Sequence, residues 1–521
     1  MLEYICHESN FSPLTTHPRI PVSTRCADPS TISVFRCRMA SVQTLPPEIL
    51  SAVFRLTLDQ PLPRLNPTML LTKYRARMRN LLRLSLVCKE WRSVVLGDGT
   101  LWTTVPVCTS RADCQEFTTT VLRRSKHAML DVSMVCGDDI GSPHEAIFSE
   151  VSQNFGRIKS LHFATTSPRT LHNLSVPAQK LETLSIFTAE EPAELGLLFG
   201  GNLPALRSLA LVGLPSWPLG LFSNLKELYL ALPSSYPAVR VSSLIDVMSR
   251  SPGLEQIEMS SFLSMVNDSP PSSHVRLPNL QRFTMRDCDS ATLLSHTIAP
   301  ATADIKVVMD HCKMRAIMRI PPRDCSILCS VPTDTSTLGF LTESAVFVLQ
   351  QDQKVGFGMG FYRSRSSRPS LRVFDHPAPV GSFARQSIDA LANRPNYFQH
   401  ISDLSVVLPA DTVVPWSKLL RSFGRLGRLS TIALHAPSLL SALMVTGEDD
   451  HPICPALKRL GIHERDDGHV FVLDPDGWGR FSAVRRALDC AVMEVTIKRK
   501  GVEIRDVMRG VLNPNSHDRR I

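Results

Sequence analysis

Leu203-Pro204-Ala205-Leu206-Arg207-Ser208-Leu209-Ala210-Leu211 sets leucines at 206, 209 and 211 in the order apolar, two variable, apolar, one variable, apolar. Leu209 and Leu211 are alternate residues, so on a strand both point to one face. The same order recurs at Ile158/Leu161/Phe163, Leu181/Leu184/Ile186, Leu225/Leu228/Leu230, Leu254/Ile257/Met259 and Leu280/Phe283/Met285. It returns at Ile401/Leu404/Val406, Leu429/Ile432/Leu434, Leu457/Leu460/Ile462 and Val492/Val495/Ile497. A strand this short cannot bury its apolar side alone. Repetition every 20–30 residues therefore predicts stacked rungs, each a strand followed by a climbing helix or loop, with the strands in a parallel sheet.

A period of this length with apolar residues in this order is the signature of a leucine-rich-repeat solenoid. The proline-led lead-ins Leu277-Pro278-Asn279-Leu280 and Cys454-Pro455-Ala456-Leu457-Lys458-Arg459-Leu460 support an irregular version, and the asparagine ladder of regular repeats is missing. The expected fold class is α/β, with the array over 151–521. The rhythm fails between about 287 and 400. There Ile305–Met309 reads as a rung strand, Ser344–Leu349 with Val355–Tyr362 reads as a hairpin, and Arg363–Arg368 reads as a polar loop. That stretch is expected to be an irregular insertion.

Upstream, residues 1–40 are weakly patterned, with four Arg against three acids. They predict a disordered leader, with Met39 an alternative start. Patterning begins at Leu45-Pro46-Pro47-Glu48-Ile49-Leu50-Ser51-Ala52-Val53-Phe54. Prolines suit the first helical turn because their missing N–H has no partner there, and Glu48 complements the helix dipole. Ile49, Leu50, Val53 and Phe54 then make one apolar stripe. A second helical run covers Leu81–Val95, and Leu101-Trp102 closes the block. So small a unit with so much apolar surface needs a partner. Next come a helical segment, Arg111–Lys126, and a strand-like alternation, Ala128–Met134, which together read as a connector over 104–150.

The order LPPEIL, then LSLVCKEWR, then LW resembles an F-box over 44–103, and the whole chain is similar to fungal-type F-box proteins with leucine-rich-repeat-like arrays. The Thr57–Asn80 gap is longer than the family's usual one, consistent with an inserted loop or a longer second helix. The resemblance implies a small helical domain that docks on a Skp-family adaptor, and through it on a cullin. It also implies a repeat surface that holds a target protein for ubiquitin transfer, so that the chain is a non-catalytic ligase subunit. Leu45, Pro46, Ile49, Leu50, Val53 and Phe54 match the family's first contact block, and Leu82, Leu86, Val87, Cys88 and Trp91 match the second. Of these, Leu45, Pro46, Ile49 and Leu50 are expected to touch the adaptor, while Trp91 and Trp102 are expected to be structural.

Composition excludes several classes. The chain of 521 residues has no run of about 20 apolar residues and no basic-then-apolar secretory leader. Its 13 cysteines contain no C-x-x-C pair. They read as reduced thiols of a cytoplasmic or nuclear protein. Gly356-Phe357-Gly358-Met359-Gly360 lacks phosphate-loop spacing and reads as a twisted or bulged strand. Asp310-His311-Cys312 places a thiol beside a base in sequence, but strand neighbours face opposite ways. Cys325 and Cys329 have no His pair for zinc. No catalytic, cofactor or metal constellation is expected. Residues 64–92 hold eight basic residues against Glu90 alone, a net +7. That cluster suits a solvated helix face, an acidic adaptor or, less well, nucleic acid. A scaffold acting outside a ligase and a basic nucleic-acid-binding repeat protein are the alternative functions.

Overall fold

The computed structural model describes residues 45–58, 67–109, 114–136, 142–166, 168–188, 198–213 and 222–232. With short interruptions it also describes 239–309, 338–409 and 412–507. The 1–40 leader, Asp310-His311-Cys312, and Cys325 with Cys329 lie outside the described residues. The chain forms two compact units, one of residues 1–206 with 210–217, the other of 207–209 with 218–521.

The first unit opens with three helices: α1 (Pro47–Leu58), α2 (Pro67–Leu84) and α3 (Lys89–Gly97). A single 3-10 turn, Gly99–Trp102, follows. The long second helix occupies the widened gap after Thr57 from Pro67 onward. Cys88 caps α3 by accepting from the Trp91 amide at 3.5 Å. Asp98 caps the 3-10 turn by accepting from the Thr100 amide at 2.8 Å, and also accepts from the Ser51 hydroxyl of α1. Burial works against the Asp98 carboxylate, but those bonds outweigh it and hold its carboxyl below the usual range.

Strands β1 (Thr104–Cys108), β2 (Leu130–Cys136), β3 (Ile158–Thr165) and β4 (Thr183–Thr188) then pair in sequence order, all parallel. Helices α4 (Cys114–Arg124) and α5 (Ser142–Ser152) make the crossovers between the first three. The connector expected over 104–150 thus contributes strands to the same ladder as the first rungs. Val105, Val132, Leu161 and Leu184 are buried, as are Val107, Met134, Phe163 and Ile186. Their registers align them in two inward rows. Arg157 ties the α4 end to this layer, donating to Leu122 O at 2.9 Å, Ala128 O at 3.1 Å and Ser125 Oγ at 2.8 Å.

In the second unit, Glu227–Ala231, Gln256–Ser260, Arg282–Arg286, Asp304–Met309 and Pro369–Asp375 pair successively in parallel. Gly356–Tyr362 and Val346–Asp352 follow as antiparallel neighbours. Val346–Asp352 then returns the ladder to parallel pairing with Asp403–Val407, Arg428–Ile432, Arg459–His463 and Glu494–Arg499. Val502–Val507 closes it antiparallel. The fold is therefore mixed α/β, helical at its N-terminal end and built on mostly parallel strands. The irregular stretch is a three-strand excursion within the same ladder. The expected hairpin is present, and the register shifts at Phe361/Tyr362, where the extra residue, Ser370, lies on the Pro369–Asp375 strand and not on the glycine-rich one. Phe347, Phe398 and Phe423 fill the space beneath it, with ring centroids 5.0 and 4.5 Å apart along that series.

One rung needs correction. Leu404, Leu429 and Leu460 share a register row, as do Val406, Thr431 and Ile462. Leu429 is therefore the second apolar position of its rung, Leu426 the first and Thr431 the third, and Leu426 is fully buried. The Leu429/Ile432/Leu434 reading was slipped by three residues because the third inward position holds a threonine.

Candidate functional site

The helical end of the first unit presents an apolar face that its own core does not use. On α1, Leu50, Phe54 and Leu58 turn inward at i, i+4 and i+8, while Ile49, Val53 and Leu56 turn outward at i, i+4 and i+7. Leu50 and Phe54 are 3% and 1% exposed, whereas Ile49 and Val53 are 50% and 42% exposed. After α2 the chain turns at Ser85–Val87 and displays Leu86 and Val87, exposed by 74% and 60%. The Ser85 hydroxyl donates to Leu82 O at 2.6 Å and holds that turn.

The eleven residues of the two contact blocks thus divide. Pro46, Ile49, Val53, Leu82, Leu86 and Val87 are exposed. Leu45, Cys88 and Trp91 are half-buried. Leu50 and Phe54 belong to the domain's own core, Phe54 with its ring edge-on to Trp91 at 4.9 Å. Trp102 is buried, donates from Nε1 to Val95 O at 2.7 Å, and lies under the Arg124 guanidinium at 4.5 Å. Leu56, Met69 and Leu96 are also exposed and were not singled out from the sequence. The i, i+4, i+7 spacing of Ile49, Val53 and Leu56 is the signal that identifies the outward stripe.

The exposed face offers aliphatic side chains, which suit contact with another apolar surface. Among the described residues no group of three His, Cys, Asp or Glu side chains is placed to hold a metal ion, and no helix is long and apolar enough to cross a membrane. The seven described cysteines form no disulfide. Burial pushes the Cys136 and Cys454 thiols up to about 12, which makes them poor nucleophiles.

No curated protein sequence matches the chain. Residues 42–105 match the F-box-like family model, and the three helices, the 3-10 turn and the exposed apolar face all lie within that span, so the chain carries an F-box-like domain at its helical end.

Proposed function

We propose that this chain is a substrate-recognition subunit of a Skp-cullin-F-box ubiquitin ligase. The observation that carries the reading is the split on α1, where Ile49 and Val53 are exposed one residue from the buried Leu50 and Phe54. A face of exposed leucine, isoleucine and valine is costly in water and is stabilised by a partner that covers it. Pro46, Ile49, Val53, Leu86 and Val87 would dock on a Skp-family adaptor, which carries the cullin. The half-buried Leu45 adds to the edge of that contact.

The remaining parallel ladder is read as an irregular leucine-rich-repeat-like solenoid. Its inward rows, one apolar side chain per strand at matching register, support that reading. Its solvent-facing rows would hold a target protein, and tethering raises the target's effective concentration at the ubiquitin-charged enzyme. In this mechanism the chain positions and makes no covalent step. We place it in the cytoplasm or nucleus, where its partners would be.

The test is capture of full-length chain by immobilised Skp-family adaptor. Leu45→Ala with Pro46→Ala, and separately Ile49→Asp with Val53→Asp, should abolish capture without lowering the unfolding midpoint. Undiminished capture of the second pair would sink the assignment.

A further inference from the structure

Beside the proposed docking face, α2, the first strand and α4 line a half-open cleft of 470 Å³ with Cys108 in its wall. Its size suits a small organic ligand. Its wall chemistry is divided. Met78, Leu82, Pro106 and Phe117 make an apolar bed, and Arg75 and Arg79 stand one helical turn apart on the same side of α2. Among the described residues no carboxylate lines the cleft, and the exposed Glu116 on the first turn of α4 is not one of the lining residues. Among the described residues neither Arg75 nor Arg79 has a hydrogen-bond or ion-pair partner.

Two unpaired guanidinium groups held a turn apart over an apolar bed ask for an oxyanion that two planar forks can share. A bare anion would leave the bed in contact with water, and an apolar molecule would leave the guanidinium groups unused. We propose that this cleft binds a small amphipathic anion, an apolar ring or chain carrying a carboxylate, sulfonate or phosphate head, with the head on Arg75 and Arg79 and the body on Met78, Leu82, Pro106 and Phe117. The cleft shares Leu82 with the second contact block but includes neither Ile49 nor Val53, and its ligand does not depend on an adaptor docked there.

The probes are anilinonaphthalene sulfonate and phenylnaphthylamine, which share a body and differ by the charged head. Full-length chain should bind one sulfonate per cleft, about tenfold more tightly than the uncharged dye. Arg75→Ala with Arg79→Ala should erase that preference, as should the milder Arg79→Ala in part, whereas Arg83→Ala should leave it unchanged. Bound sulfonate should also slow alkylation of Cys108 by iodoacetamide, read by peptide mass. Inorganic phosphate should displace the sulfonate only weakly. Equal affinity for the two dyes, a preference that survives loss of both arginines, an unprotected Cys108, or phosphate binding as tight as the dye would each overturn the assignment.

Discussion

His162 sits on β3 opposite Ser133 and Ser185, and its Nδ1 lies 3.0 Å from Ser185 Oγ. Burial pushes its imidazole down to about 4, because the charged ring loses its water there. The unfolded ring titrates near 6.5, so the folded state holds His162 neutral where the unfolded chain takes up a proton. Its contribution is full above pH 6.5 and is lost as pH falls towards 4, by about 3 kcal/mol at most. Denaturant midpoints measured across that window should fall more steeply for the natural chain than for His162→Gln. Parallel slopes would contradict the buried neutral ring. At the other end of the unit, Trp102→Phe should cost about 1–3 kcal/mol by leaving Val95 O without its donor. Equilibrium unfolding of the purified variant checks it.

Which residues of α1 face inward was only half legible. Ile49, Leu50, Val53 and Phe54 read as one stripe because i, i+1, i+4 and i+5 cover about half a helix surface, and such a stripe can serve a core on one edge and a partner on the other. The periodicity identifies the helix. The division between Leu50 with Phe54 and Ile49 with Val53 depends on where Trp91 and α3 pack, which is tertiary information. The same reason explains the slip at Leu426. The apolar order needs three matching residues, and Thr431 in the inward row broke the match even though Leu426 and Leu429 filled the other two places. Three strands of the 287–400 stretch were visible one by one, but Pro369–Asp375 was not, and its parallel pairing with Asp304–Met309 joins residues 60-odd apart that no local pattern connects. The corrected rung predicts a difference in core cost. Leu426→Ala should lose about 2–5 kcal/mol, and Leu434→Ala, at a half-buried position, clearly less. Reversal of that order in unfolding measurements would restore the slipped register. Gly213 adds a backbone constraint, since its φ is +79° and a Cβ there would collide with Thr188 O. Gly213→Ala should therefore destabilise the first unit, seen as faster hydrogen exchange along β4.

Charge belongs to the scale of the whole chain. A formal +9 is spread over 57 basic and 48 acidic side chains, but a net +7 falls within residues 64–92 alone. If an acidic adaptor meets that side, encounter is steered, so the association rate should fall severalfold between low and physiological salt while dissociation changes little. A dissociation rate that carries the salt dependence would place the charges inside the contact instead. The central claim is that the exposed aliphatic face of the F-box-like domain is an adaptor seat. The most direct measurement is co-expression of the full-length chain with a Skp-family adaptor, followed by size-exclusion chromatography with light scattering. The account predicts a 1:1 complex for the natural chain and separate elution for Ile49→Asp with Val53→Asp. Separate elution of the natural chain and adaptor, both folded, would contradict it.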